Sequence, residues 1–172
     1  MRLPNLLITP VKYGLFGALI SMAVFTTLYY LRPNPILTTK GVPFEIILIP
    51  ALVFFSIKEF RDYRNGGELR LWQGLAIGFV NYLIIALLSG VFITLFIRYY
   101  DPEILVDFIN YNLIQFQENK AGIEETFDAE TYEQVLIDIR KTTAYHIGLD
   151  DFMRKGVIGF FSTFIISIFL RK

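Results

Sequence analysis

No cysteine occurs in this chain, and its absence excludes disulfides, thiol catalysis, thiolate-bound zinc and iron–sulfur clusters while leaving the redox compartment open. Histidine is almost missing too, since His146 is the only one. Without cysteine or a carboxylate pair at ligand spacing beside it, His146 builds neither a metal site nor a triad by itself and reads as a surface histidine. No catalytic set, cofactor cradle or metal cluster is recognisable, so no catalytic residue, cofactor or metal is assigned. There is no excess of positive charge: sixteen Lys and Arg balance sixteen Asp and Glu. Twelve of those acids lie between Asp101 and Asp151, which leaves 98–155 net negative by six. Such a segment repels phosphate backbones, and basic residues elsewhere flank apolar runs where membrane anchoring accounts for them. Nucleic acid is therefore not an expected partner.

Apolar side chains are what the chain has in plenty, at 54% of residues, and they come in four blocks at about 13–31, 42–57, 74–97 and 156–170. The third holds fifteen Leu, Ile, Val or Phe residues, worth roughly −5 to −9 kcal/mol for insertion, which outweighs Asn81. The second is weaker, with Pro50 inside it and Glu45 near its start, but Pro43 suits a first helical turn and Lys58 can snorkel outward. The fourth is short of the usual span, and Arg154 and Lys155 before it, with Arg171 and Lys172 after it, extend its reach in a tilted or thinned bilayer. The first resembles a signal peptide only superficially, because it ends in Tyr29, Tyr30, Leu31 and Arg32 and carries no small-residue cleavage pattern. The expected fold is all-α: an integral membrane four-helix bundle forming a single domain over 1–172, with two additional amphipathic helices between the third and fourth spans. The lipid bilayer is the first partner implied.

Orientation follows from basic residues near span ends. One side collects Arg2, Lys12, Lys58, Arg61, Arg64, Arg70, Arg171 and Lys172, against Arg32, Lys40, Arg98, Arg154 and Lys155 on the other. The positive-inside rule then puts both termini in the cytoplasm and 98–155 outside. In the segment of about 101–150, Leu105, Phe108, Ile109, Leu113 and Phe116 recur at helical spacing after Pro102. A break at Asn119–Gly122 precedes a second helix, capped by Asp128 and ended by Gly148, with Tyr132, Val135, Leu136 and Ile139 on one face. These helices are expected to pack on each other, on lipid headgroups or on a partner.

Three polar residues fall in or beside the spans. Glu45 reads as a helix-head residue facing the positive end of the dipole, with a proton or solute path as the sharper alternative. Gln73 and Asn81 read as interhelical hydrogen-bonding glue. Small residues four apart, among them Gly14 with Ala18, Gly17 with Ser21 and Gly74 with Gly78, permit close helix contact within a bundle or between copies. Between the second and third spans, Lys58, Arg61 and Arg64 can meet anionic lipid phosphates, Arg61 and Asp62 can pair, and Gly66 and Gly67 suit a tight reversal.

That connection carries a resemblance. Ser56, Ile57, Lys58, Glu59, Phe60, Arg61 and Asp62, then Gly66 and Gly67 and a short lead into an apolar span with Gly78, resemble the bacterial domain of unknown function 4199 family over nearly the whole chain. The resemblance implies a small four-span protein of the bacterial inner membrane with an acidic helical segment before the last span and a basic tail, and it implies no activity. The chain departs from the pattern at Trp72 and Gln73, where a glycine and a lysine are expected. Three functions are carried forward: a non-enzymatic scaffold or accessory subunit of a membrane or envelope complex, a small oligomeric transporter or channel, and an enzyme of lipid-linked phosphate using Arg61, Asp62 and Arg64. Possible associations are another membrane protein or a second copy through the small-residue faces.

Overall fold

The computed structural model describes residues 3–31, 36–37, 41–118 and 129–171, all helical apart from short turns, with no strand among them. Among the described residues six α-helices follow one another: α1 (Leu3–Leu31), α2 (Gly41–Glu59), α3 (Leu71–Leu95), α4 (Glu103–Glu118), α5 (Ala129–Arg140) and α6 (Ala144–Leu170). Wider π-helical turns at Phe60–Arg64 and Phe96–Tyr100 extend α2 and α3. Among the described residues three helices are long and apolar enough to cross a membrane, over Leu6–Leu31, Leu71–Tyr100 and Ala144–Leu170. Arg2, Arg32, Lys40, Lys172, the expected break at Asn119–Gly122 with Lys120, and the expected cap Asp128 lie outside the described residues.

Packing centres on α3, which lies against α1 and α6, while α2 packs on all three. Small residues set the α3–α6 approach. A Cβ built on Gly78 would lie 2.3 Å from the Thr163 methyl, and one on Gly148 would lie 1.9 Å from Thr94 Oγ1. Neither site has room for a larger residue, so the helices meet nearly backbone to backbone, as expected where dispersion rather than hydrophobic exclusion must hold helices together. The Gly74–Gly78 face is thereby consumed inside the chain, as are Gly14 and Gly17, which face Ile84, Leu52 and Ile85. At the end where α2 turns into α3, Leu6, Ile49, Val53, Ile57, Phe60, Leu69, Ile77, Tyr82 and Leu170 form a buried apolar cluster. Leu6 and buried Thr9 explain why α1 starts well before the expected Tyr13, carrying Pro10 inside it.

The fourth apolar block needs correcting. The residues 156–170 are the second half of a 27-residue helix that begins at Ala144. From Asp151 to Leu170 this helix runs about 30 Å, the thickness of a hydrocarbon layer. Gly148 does not end the preceding helix. That role falls to Lys141–Thr143, and Thr143 opens α6 with a reciprocal cap in which its backbone N–H donates to His146 Nδ1 at 3.1 Å. Gly148 sits inside α6 because only a residue without a side chain fits beneath Thr94 and the Gly90 carbonyl.

Outside the apolar helices, α4 packs against α5. Phe116 stacks on Tyr132 with ring centroids 5.0 Å apart, and Tyr132 and Leu136 are buried. Nearby, Tyr29 donates to Asp101 Oδ2 at 3.0 Å, and the Tyr30 and Tyr100 hydroxyls meet at 3.0 Å, tying the end of α1 to the end of α3.

Candidate functional site

Among the described residues the most buried charge is in α6. Lys155 has a side chain only 1% exposed and lies two residues from the middle of the helix, about 3 Å along its axis. Its Nζ donates to Ser89 Oγ at 2.8 Å and to Asp151 Oδ1, and it forms an ion pair with Glu45 Oε1 at 2.8 Å. Ser89 donates onward to Asp151 Oδ2 at 2.8 Å, closing a ring. Helix geometry supplies half of this, since Asp151 stands one turn before Lys155 on the same face. The other half comes from two other helices, with Glu45 from the first half of α2 and Ser89 from α3.

Arg154 brackets the cluster from the α6 surface. Its Nη2 donates to Asp151 Oδ1 at 3.0 Å, its Nη1 lies 3.9 Å from Asp150 Oδ2, and its Nε lies 3.6 Å from Glu45 Oε2. The last approach is an ion pair without a hydrogen bond, and both Glu45 Oε2 and Arg154 Nε are buried without a hydrogen-bond partner among the described residues. Asp150 is 77% exposed and belongs to the solvent side.

These charges form one wall of a cavity of about 340 Å³. Val24, Phe25, Leu28, Ile93 and Phe108 supply an apolar wall, while Thr142 and the exposed His146 also line it. From α1 comes Ser21, which is 5% exposed and whose Oγ has no hydrogen-bond partner among the described residues. Ser21, Glu45 and Arg154 all line this chamber, and each has one buried polar atom without a hydrogen-bond partner among the described residues. Each such group carries a desolvation cost unless something polar meets it. Among the described residues no group of three or more His, Asp or Glu is placed to hold a metal ion.

Of the residues singled out from the sequence, Glu45 alone reaches this cluster. It does not sit in the first turn of α2 but five residues in, paired with Lys155. Gln73 stays local, where its Oε1 accepts from the Arg70 backbone N–H at 2.9 Å and from Asn65 Nδ2 at 3.3 Å, capping α3. Asn81 is fully buried and directs its Nδ2 at the Leu52 carbonyl, 3.5 Å away, between α3 and α2.

The α2–α3 connection lies at the other end of α2, about 21 Å along its axis from Glu45. Lys58 Nζ lies 5.8 Å from the centre of the Phe54 ring, and Arg61 Nε donates to Asp62 Oδ1 at 2.7 Å. Gly66 and Gly67 take φ of 64° and 84°, a region open to glycine, and the Gly67 N–H closes the turn on the Arg61 carbonyl at 2.9 Å. Arg64 is exposed at the same turn. Lys12 and the Tyr13 hydroxyl both donate to Glu59 Oε2, at 2.7 and 2.8 Å, joining α1 to α2 there. The Lys12 ammonium, helped by Tyr13, holds the Glu59 carboxyl below its ordinary value.

Sequence reasoning missed Asp151, Ser89 and the buried role of Lys155, which it placed with Arg154 as a flank of the last span. One signal was there: an acid and a base at i and i+4 beside a long apolar run.

Three apolar helices long enough to cross a bilayer, closing around a polar cluster, are compatible with an α-helical membrane protein. The chain belongs to the family described as protein of unknown function (DUF4199), whose family model matches residues 12–172. No match is found among the curated proteins or among the solved structures.

Proposed function

We propose that this is a four-span protein of the bacterial cytoplasmic membrane, with α2 as the fourth crossing and both termini in the cytoplasm, that binds and moves a small polar solute. The observation that carries the reading is the cavity beside Lys155. Ionisable side chains near the middle of membrane helices are costly, and they characteristically mark solute, ion or proton pathways. Salt bridging alone would account for Lys155, Asp151 and Glu45. It does not account for a chamber within the size range of ligand sites, walled on one side by apolar residues and lined on the other by residues that keep unpartnered donor and acceptor atoms. The chamber is assembled from α1, α2, α3, α4 and α6 of a single chain, so a second copy is not required to form it.

Flux tests the proposal. Full-length protein in liposomes is loaded with a defined mixture of small amines, carboxylates, amino acids and sugars, and released solutes are read by mass spectrometry. Selective release that Glu45→Gln reduces supports transport. A release pattern matching protein-free liposomes refutes it. Orientation is read separately, since the chain has no cysteine to remove. Gln117→Cys is expected to react with a membrane-impermeant maleimide in intact spheroplasts and Arg64→Cys only after lysis, and the reverse pattern inverts the topology.

The accessory-subunit reading is favoured by one other observation. Val106, Tyr111, Ile114 and Ile137 on α4 and α5 are exposed apolar side chains beyond the apolar helices. Crosslinking in native membranes from benzophenone placed at Ile114 supports that reading if it captures one defined protein, and capture of lipid alone counts against it.

A further inference from the structure

We infer that the cavity beside Lys155 is a binding site for a zwitterionic solute with an apolar body, of the kind an α-amino acid with a hydrophobic side chain presents. This deepens the proposed function and rests on reading the chamber as a solute site. Three features select the class.

The first is charge balance. Glu45, Asp151, Arg154 and Lys155 sum to zero, while Asp150 stands 77% exposed at the solvent side. A ligand with one net charge would leave that charge uncompensated in a low-dielectric chamber, whereas a molecule bearing both signs leaves the sum unchanged. The second is the pattern of unused atoms. Glu45 Oε2 and Arg154 Nε face one another at 3.6 Å, both buried and both without a hydrogen-bond partner among the described residues. An acceptor and a donor side by side match an ammonium and a carboxylate carried on one small frame.

Ser21 provides the independent observation. Its side chain comes from a different helix, is more than nine-tenths buried, lines the cavity and has no hydrogen-bond partner among the described residues. An ammonium has three protons to place, and Glu45 Oε2 with Ser21 Oγ takes two of them. The third feature is the opposite wall, where Val24, Phe25, Leu28, Ile93 and Phe108 offer contact to an aliphatic or aromatic side chain. A cavity of about 340 Å³ lies within the size range of small-molecule sites.

Three probes with the same phenyl body separate the classes: L-phenylalanine, 2-phenylethylamine for the cation alone and 3-phenylpropanoate for the anion alone. Binding to the full chain in lipid nanodiscs is measured by calorimetry at fixed pH. L-phenylalanine is expected to bind at least about tenfold tighter than either analogue, the increment of one added charge-assisted hydrogen bond. Equal or tighter binding of either analogue overturns the assignment, and so does absence of phenylalanine binding to folded protein.

Ser21→Ala, which removes only the unpartnered hydroxyl and leaves the Lys155 ring intact, is expected to weaken phenylalanine binding about tenfold. Unchanged affinity in Ser21→Ala overturns the site. Glu45→Gln is the stronger perturbation where it folds, and Arg64→Ala, at the distant turn, is expected to bind as the parent does. Phenylalanine binding without solute release in the liposome assay keeps this assignment and refutes transport. Release of another solute class without phenylalanine binding does the reverse.

Discussion

Lys155→Met removes the ammonium and keeps most of the side-chain length. In the parent protein Nζ holds Glu45, Ser89 and Asp151 together, by one ion pair and two hydrogen bonds. Methionine leaves two carboxylates on neighbouring helices with only Arg154 between them, itself 39% exposed and 3.6 Å from Glu45 Oε2. Breaking a buried ion pair by deleting one partner costs about 3–5 kcal/mol, far above the at most ~1 kcal/mol of an exposed pair. At roughly 2–4 °C per kcal/mol for a chain of this length, Tm in nanodiscs should fall by about 6–20 °C. The assay is equilibrium unfolding in mixed micelles titrated with SDS, followed by helical circular dichroism. Adding Glu45→Gln to Lys155→Met should restore part of the loss, because one of the stranded charges goes with it; a non-additivity of about 1–3 kcal/mol is expected. A Lys155→Met protein within about 1 kcal/mol of the parent would refute the reasoning, since that is the behaviour of a lysine reaching water or headgroups.

Two glycines of α6 make a matched pair. Gly148→Ala places a Cβ 1.9 Å from Thr94 Oγ1 and 2.5 Å from the Gly90 carbonyl, and it should cost about 1–3 kcal/mol. Gly156→Ala meets nothing within 4 Å and should gain about 0.5–1 kcal/mol from helix propensity, so equal effects of the two in SDS titration would deny the α3–α6 contact. Acid stability should depend on Glu59. Its folded value is lowered by the Lys12 ammonium and then by Tyr13, so its contribution is fully present above the ordinary 4.5 and disappears as pH falls through the lowered value. Glu59→Gln should therefore flatten the stability profile below about pH 4.5 in a pH series of melting curves, and an unchanged acid limb would contradict the pairing.

What could be read from the chain in advance was whatever depends on neighbours in sequence. The apolar run over 74–97 identifies α3, and the 3.6-residue recurrence through Phe116 and through Tyr132 and Leu136 identifies α4 and α5. The Gly66–Gly67 pair identifies the turn, because positive φ is a local demand. The first half of α6 was hidden by its own chemistry. Asp150, Asp151, Arg154 and Lys155 interrupt an apolar run, and on hydropathy alone an interruption marks an edge. Their stabilising partners are remote, with Ser89 standing 66 residues before Lys155 and Glu45 further still. Gly148 misled in the same way, since a glycine that ends a helix and one that admits a neighbouring backbone look alike until the neighbour is known.

The site and the helix boundary were thus concealed by a single cause. A charge buried at mid-helix is tolerable only if a second and a third helix answer it, so in a membrane protein the segment that looks least like a span can be the one on which the others converge. Here α2 brings Glu45, α3 brings Ser89 and α1 brings Ser21 to the stretch of α6 between Asp151 and Lys155. The small residues act toward the same end. Gly90 and Gly148 draw α3 against α6 one turn outside the ionic ring, and Gly78 and Gly159 draw them together on the other side. Ser89 hydroxyl and Lys155 ammonium can meet at 2.8 Å because the backbones carrying them are this close. The packing motif and the polar cluster are accordingly one device, and loosening the seam at Gly78 or Gly148 should disturb the cavity as surely as altering Lys155 itself.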